Sequence, residues 1–279
     1  MTAVAGARVA LLERTHPPGY EGALVDSLVP VLEARGALVT RLDAERALPR
    51  LDVRPPWDVV LLKSGSAAAL HVAAAAEAWG IRSVNVAEST RLTRNKLAAA
   101  SILRQAGLAV PEAVLAWLGP AASDRRLDGL ADRPVVVKAM RSAGGSGIHF
   151  AGAGELATLV RGLPSGPYLV MERVGAGGDD LKVFVAGAWI DAIRRPFPAS
   201  GLVEKRGTRV PVPSDIVQAA LGAGRALGLT VYGCDFVANG RSWSLVDVNA
   251  FPGFKGAVGA ADAIADEIEH PVVAEGAPA

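Results

Sequence analysis

An α/β unit with a small parallel sheet, followed by an α+β unit with antiparallel sheets, is the fold class that this sequence predicts. Three observations predict it. Strand-like and helix-like segments alternate over roughly the first 90 residues, paired β segments take over from about residue 113, and Asn239-Gly240 sits as a turn signal between two apolar runs near the end.

Arg8 to Leu12 is a short apolar strand, and Tyr20 to Ala34 carries apolar residues at helical spacing until Gly36 stops it. Leu38 to Leu42 and Asp58 to Leu62 are strand-like, Ala67 to Trp79 is helical, and a further strand follows the glycine stop at Gly80. This alternation makes residues 1–90 an N-terminal α/β domain. Ser89 to Ala106 reads as one capped helix that ends at Gly107 and joins the two parts. Pro134 to Lys138, Tyr168 to Arg173, Lys182 to Ala186 and Trp189 to Arg194 are then strands of a second domain over 91–270, with a central subdomain at about 110–175 and a C-terminal one at about 176–270. The tail, 271–279, is rich in Ala, Pro, Gly and Glu and reads as disordered.

Composition narrows the classes of function. With 279 residues, 51% hydrophobic and 20% charged, the chain is long enough for proper cores. A net charge of +1 gives no electrostatic ground for nucleic acid or an anionic membrane as partner. Cys234 is the one cysteine, which excludes an internal disulfide framework and favours the cytoplasm. The N-terminus lacks the apolar core of a signal peptide, and the Ala-rich run from Ala67 to Ala78 is interrupted by His71 and Glu77 and is too short to span a bilayer. His16, His71, His149 and His270 are scattered, so no pair has metal-ligand spacing.

The stretch from Leu245 to Gly256 carries the most chemistry. Successive strand side chains alternate between faces, so Asp247 and Asn249 share one face of an otherwise apolar strand. Asp235 lies in the preceding strand, and a short turn around Gly240 to Ser242 sets it opposite Asp247. Three oxygen donors then converge, the kind of set that Mg2+ takes. From an isolated Asp-x-Asn alone, a buried polar pair capping a hairpin is the favoured reading, and the signals upstream reverse that order.

Lys138 ends the apolar run Val135-Val136-Val137, an unusual place for a lysine without an anionic partner. Arg141 to Gly147 follows, and its glycines Gly144, Gly145 and Gly147 let backbone amides turn toward phosphate while Ser142 and Ser146 add hydroxyls. A plain surface turn is the competing reading of that loop. Met171, Glu172, Arg173 and Val174 interrupt a strand end that offers backbone groups to an adenine edge, and Asp180 and Lys182 follow on one strand face, with Arg194 and Arg195 on the next strand. Alone, these charges describe a cross-strand ladder.

Taken in order, Asn95-Lys96, Val137-Lys138, Ser142 to Gly147, Met171 to Val174, Gly178 to Asp180, Arg195, Asp235 and Asp247-Val248-Asn249 resemble the ATP-grasp superfamily, in its RimK-type carboxylate-amine ligase form. The resemblance covers roughly Ser83 to Val258. It implies ATP and one or two Mg2+ ions, with Mn2+ as a substitute. It also implies a reaction in which a carboxylate takes the γ-phosphoryl group and the acyl phosphate is captured by an amine. Lys96 and Lys138 would then hold phosphates under the 142–147 loop, Glu172 to Val174 would form the adenine hinge with Met171 beside it, and Asp180 would approach the ribose with Lys182 nearby. Arg195 and Lys138 would serve the phosphoryl transfer, and Asp235, Asp247 and Asn249 the metal. Expected substrate contacts are Lys63, Ser64, Arg194, Arg206, Gly253 and Lys255, for a small acid and amine, an amino acid or a peptide. Relatives of this kind are often homo-oligomers. Two departures stand out: Leu202 to Gly207 lacks the family's usual Asn and Gly-Gly pattern, which leaves the acceptor side open, and Asp247 replaces the commoner Glu. Asp-Val-Asn-Ala-Phe-Pro-Gly also resembles inositol trisphosphate 5/6-kinases, so an ATP-grasp kinase is the alternative.

Overall fold

The computed structural model describes residues 5–14, 24–46, 50, 52–120, 127–140, 147–175, 178–197, 202–240 and 242–269. Aliphatic runs form the first sheet: β1 (Arg8–Leu12), β2 (Leu38–Leu42), β3 (Val59–Leu62) and β4 (Arg82–Val84) pair in parallel in the order β2-β1-β3-β4. All four residues of β3 are buried, as a parallel strand covered on both faces requires. Strand alternation divides the contacts. Val9, Leu11, Val59 and Leu61 share a core with Leu24, Leu28 and Leu32 of α1 (Leu24–Ala34), while Ala10, Leu12, Val60 and Leu62 meet Ala69, Val72 and Ala76 of α2 (Ala67–Ala78).

The helix expected from Ser89 to Ala106 is two helices, α3 (Ala87–Arg94) and α4 (Lys96–Gln105). Asn95 breaks it. Its ψ of 86° is not helical, and its side chain accepts from Ala98 N to cap α4. The break makes Lys96 the first residue of α4, where a lysine is unfavourable to the helix dipole unless an anion faces it.

The second sheet is antiparallel, with β5 (Ala113–Leu118), β6 (Val135–Ala139), β7 (Ile148–Ala151) and β8 (Gly166–Glu172) in the order β5-β8-β6-β7. Helices α5 (Asp128–Ala131) and α6 (Leu156–Gly162) share the core on the face that carries Val135, Val137 and Val170. Lys138, Leu169 and Met171 take the other face by alternation.

The third sheet, also antiparallel, contains β9 (Gly178–Ala186), β10 (Trp189–Phe197), β11 (Thr208–Arg209), β12 (Val231–Asn239) and β13 (Ser242–Ala250) in the order β11-β10-β9-β12-β13. Between or after its strands come α7 (Leu202–Arg206), α8 (Ser214–Leu227) and α9 (Ala260–Glu269). One face of the sheet, with Leu181, Val183, Cys234, Phe236 and Val248, shares a core with α4 and α8. On the other face Phe184, Ala186, Ile193 and Val231 meet α1 and α9, which ties this sheet to the first one. Buried Asn85 adds a polar tie: it donates to Val231 O at 2.6 Å and accepts from Thr230 N and Val231 N at 2.7 and 2.8 Å. Sequence reasoning assigned no element to β7, α6, α8 or α9.

Candidate active site

The remainder of that second face is polar. Asp180 and Lys182 of β9, Arg195 of β10, Asp235 of β12, and Asp247 and Asn249 of β13 project from it together, because the pairings Arg195 with Asp180, Asp235 with Lys182 and Asp235 with Asp247 bring them side by side. A β-bulge makes the last pairing. From Asn239 opposite Ser242 the hairpin runs regularly to Phe236 opposite Leu245, a register that would set Asp235 against Val246. Val246 is instead the extra residue, and Asp247 moves into line with Asp235.

Each carboxylate meets a cation. Lys96 Nζ donates to Asp247 Oδ1 at 2.8 Å, which supplies the anion that the start of α4 requires. Lys182 Nζ donates to Asp235 Oδ1 at 2.5 Å. Arg195 makes a two-bond fork with Asp180, at 2.8 and 2.9 Å, and reaches Asp235 Oδ1 at 3.5 Å. Lys138 arrives from the second sheet and donates to Val246 O at 3.2 Å, using the carbonyl at the bulge. Asn249 Nδ2 donates to Asp247 Oδ2 at 3.1 Å.

Electrostatics follow from this crowding. Burial works to raise the Asp247 pKa, but the charges of Lys96 and Lys138, with Lys182 behind them, outweigh it and hold the carboxyl below its ordinary value. Burial pushes the Lys138 ammonium down, against the pull of Asp247 and Asp235. It also raises Asp180, which Arg195 only partly offsets, while the same fork keeps Arg195 above its ordinary value despite its own burial.

Asp235, Asp247 and Asn249 fit a hard divalent cation in donor type and in placement, since two carboxylates and a side-chain amide share one patch of sheet. Among the described residues no three His, Cys, Asp or Glu side chains cluster to hold a metal, and the third donor here is an amide. The loop after β13 is strained: Phe251 and Phe254 have φ of 41° and 49°, a conformation that costs about 1–3 kcal/mol at each non-glycine residue. It persists because both rings are buried, Phe254 stacks on Phe184 at 5.1 Å, and Lys63 Nζ donates to Phe251 O at 3.0 Å.

The expected site residues separate into groups. Lys96, Lys138, Lys182, Arg195, Asp235, Asp247 and Asn249 come together as described. Asp180 is 3% exposed and both its oxygens accept from Arg195, so its carboxylate orients the arginine. At the end of β8, where the adenine hinge is expected, Glu172 N donates to Glu112 O and Arg173 N to Pro134 O, and Met171 is buried. Ser142, Gly144, Gly145 and Ser146 lie outside the described residues. Gly147 closes that loop with a φ of 77°, which favours glycine. Among the substrate contacts, Lys63 and Ser64 stand at the end of β3, and Gly253 and Lys255 lie in the strained loop. Arg206 closes α7, and its carbonyl sits so near Gly256 that any side chain at 256 would strike it. Arg194 is exposed and, by alternation, projects from the opposite face to Arg195, away from Asp235, Asp247 and Asn249. Sequence reasoning missed Glu13, which follows β1 and is 7% exposed, because a lone Glu after an apolar run carries no pattern.

Comparison with known proteins places this geometry among relatives. A family model described as a RimK-like ATP-grasp domain matches residues 93–268. The chain is 30% identical over 190 residues to a probable alpha-L-glutamate ligase of Parasynechococcus marenigrum, a match that covers 64% of the chain and 41% of that protein. It is 28% identical over 261 residues to probable alpha-L-glutamate ligase 2 of Hahella chejuensis, covering 88% and 84%. In fold it resembles the ATP-grasp ligase PsnB complexed with minimal precursor, Mg and ADP, with a TM-score of 0.67 and 19% identity over 94% of this chain and 96% of that one.

Proposed function

The chain belongs to the RimK-like ATP-grasp family, and from that premise we propose that it is an ATP- and Mg2+-dependent carboxylate-amine ligase that forms an amide or peptide bond. The observation that carries the reading is the convergence of Asp235, Asp247 and Asn249 with Lys96, Lys138, Lys182 and Arg195 on one face of one sheet. A phosphoryl transfer asks for little beyond positioning, metal and cations aimed where charge develops.

In this reading Asp235, Asp247 and Asn249 would hold one or two Mg2+ ions, and the metal would supply neutralisation of the phosphate charge. Lys96 and Lys138, each now pointed at the β13 strand, turn their charge to the nucleotide phosphates. The backbone of residues 172–174 takes the adenine edge. Arg195, held by Asp180, faces the transferred group. A substrate carboxylate oxygen bonds to the γ-phosphorus as the bond to ADP breaks. The amine nitrogen then bonds to the acyl carbon, phosphate leaves, and the amine gives up its proton.

The printed names of the curated relatives, alpha-L-glutamate ligases, and of PsnB with its precursor support an amino acid or a peptide as substrate. The same names disfavour the kinase alternative. No helix among the described residues is long and apolar enough to cross a membrane, and the one cysteine, Cys234, is a buried free thiol.

ADP release from Mg-ATP in the presence of candidate acids and amines tests the reading. Hydroxylamine should trap the activated acid as a hydroxamate. ATP-dependent phosphorylation of an alcohol with no trapped hydroxamate would favour the kinase.

A further inference from the structure

A cavity of about 490 Å3 opens beside β4, the edge strand of the first sheet, where that sheet meets the elements of the third. Its volume lies within the range of small-molecule sites. Glu77, Ser83 and Val86 line it from one side, and Thr230 and Glu267 from the other. It stands apart from the metal residues. Thr230 directly precedes β12, and Asp235 comes five residues later, about 16 Å away along extended chain.

The wall is negative. Glu77 lies in the last turn of α2 and Glu267 in the last turn of α9, and neither helix has a Lys or Arg in that turn to meet the negative end of its dipole. Arg82, also at the wall, answers one of the two carboxylates: its Nη2 donates to Glu267 Oε1 at 2.9 Å. Glu77 Oε1 accepts from Ala87 N at 2.8 Å, and among the described residues no Lys, Arg or His pairs with this carboxylate. One guanidinium thus stands against two carboxylates and two helix C-termini. A hydroxyl supplies an independent sign of a ligand. Ser83 is 6% exposed, and its Oγ is buried with no hydrogen-bond partner among the described residues, a state that is destabilising until a partner meets it. Ile81, which is buried, and Val86, which is exposed, add an apolar strip to the same wall.

We propose that this cavity binds a small organic amine as its ammonium ion, with Glu77 and Ser83 Oγ accepting from the ammonium and the hydrocarbon stem lying on Ile81 and Val86. A carboxylate or phosphate ligand would meet Glu77 and the two helix ends, so the cavity discriminates against anions. Its walls belong to both sides of the joint that Asn85 ties through Thr230 N, so an occupied cavity braces the first sheet against the third. The site goes beyond the ligase reading and does not rest on it.

An amide NMR titration of the full chain with n-butylammonium, without nucleotide, tests the site, and n-butanol and butyrate serve as matched probes that remove or reverse the charge. The amides of Ser83, Val86 and Thr230 should shift and saturate with n-butylammonium at a concentration at least about tenfold lower than with n-butanol, as one charged hydrogen bond implies, and butyrate should leave them unmoved. Glu77→Gln, which keeps an acceptor for Ala87 N, should weaken n-butylammonium at least about tenfold while ADP release stays unchanged. Ser83→Ala should weaken it about fivefold, yet its urea midpoint without amine should equal or exceed that of the unmodified chain, because the substitution removes a buried hydroxyl that has no partner. A merely structural serine would not separate affinity from stability in that way. Should Glu77→Gln fail to fold, the three probes on the unmodified chain, together with Ser83→Ala, decide. The proposal is overturned if those amides do not move with n-butylammonium, if n-butanol or butyrate saturates them as readily, if Glu77→Gln binds as tightly as the unmodified chain, or if the shifts fall only around Asp235 and Asp247. Loss of the ligase reading would leave each of these outcomes in force, since none of them requires turnover by the unmodified chain.

Discussion

Asp235 faces Asp247 across two antiparallel strands because Val246 bulges out of the ladder between them. The bulge has a double effect. It aligns the two carboxylates on one face, and it turns Val246 O to Lys138, which anchors the second sheet over the third.

Asp247→Asn should therefore lower turnover by at least about 100-fold, as expected when a group that stabilises developing charge through the metal is lost. The same variant leaves Lys96 without its carboxylate partner. ADP release across a Mg2+ titration checks this, and unchanged activity would remove Asp247 from the metal site.

The Asp180–Arg195 fork predicts a stability signature. Asp180 and Arg195 have side chains 3% and 16% exposed, so Asp180→Asn or Arg195→Met alone leaves a poorly compensated charge and should cost about 3 kcal/mol. The double variant should recover part of that loss. Urea denaturation of the four proteins gives the cycle, and strictly additive effects would mean that the pair is not coupled.

How much of this was legible in the sequence depends on range. Alternation along Asp247-Val248-Asn249 and the Asn239-Gly240 turn signal are local, so the shared face and the opposition to Asp235 could be read directly. Regular pairing through that turn, however, leads to Val246, and nothing local marks the bulge. The break at Asn95 was hidden because Ser89 to Ala106 has continuous helical character, and the side-chain cap that splits it is seen only in the fold. The fork from Arg195 to Asp180 is a cross-strand contact 15 residues apart in sequence, which no local pattern shows. Helices α8 and α9 went unassigned in a region dominated by strand signals, although their buried faces complete two of the cores.

Asn85 predicts where the first and third sheets come apart. Asn85→Ala leaves the amides of Thr230 and Val231 without their acceptor in a buried joint, at a cost of about 3 kcal/mol. The midpoint of urea unfolding should fall accordingly. A midpoint within error of the unmodified chain would show that water replaces the side chain there.

Lys63 predicts a pH dependence. Burial pushes its ammonium down to about 8 from 10.5; Lys255 adds to the lowering and Glu13 opposes it. The folded chain thus releases this proton before the unfolded chain does, so between about pH 8 and 10.5 the unfolded state binds more protons and stability from this group rises with pH. The Lys63→Met variant should lack that rise when unfolding free energy is followed against pH. A Lys63→Met profile that matches that of the unmodified chain would show that Lys63 does not titrate in that window.

The account rests on a metal-and-phosphate centre built on the third sheet, and a crystal structure with Mg2+ and a non-hydrolysable ATP analogue tests it most directly. It predicts Mg2+ at about 2.1 Å from oxygens of Asp235, Asp247 and Asn249, with Lys96 and Lys138 swung from β13 to the phosphates. A triphosphate bound elsewhere, or a metal that none of these three residues touches, would contradict it.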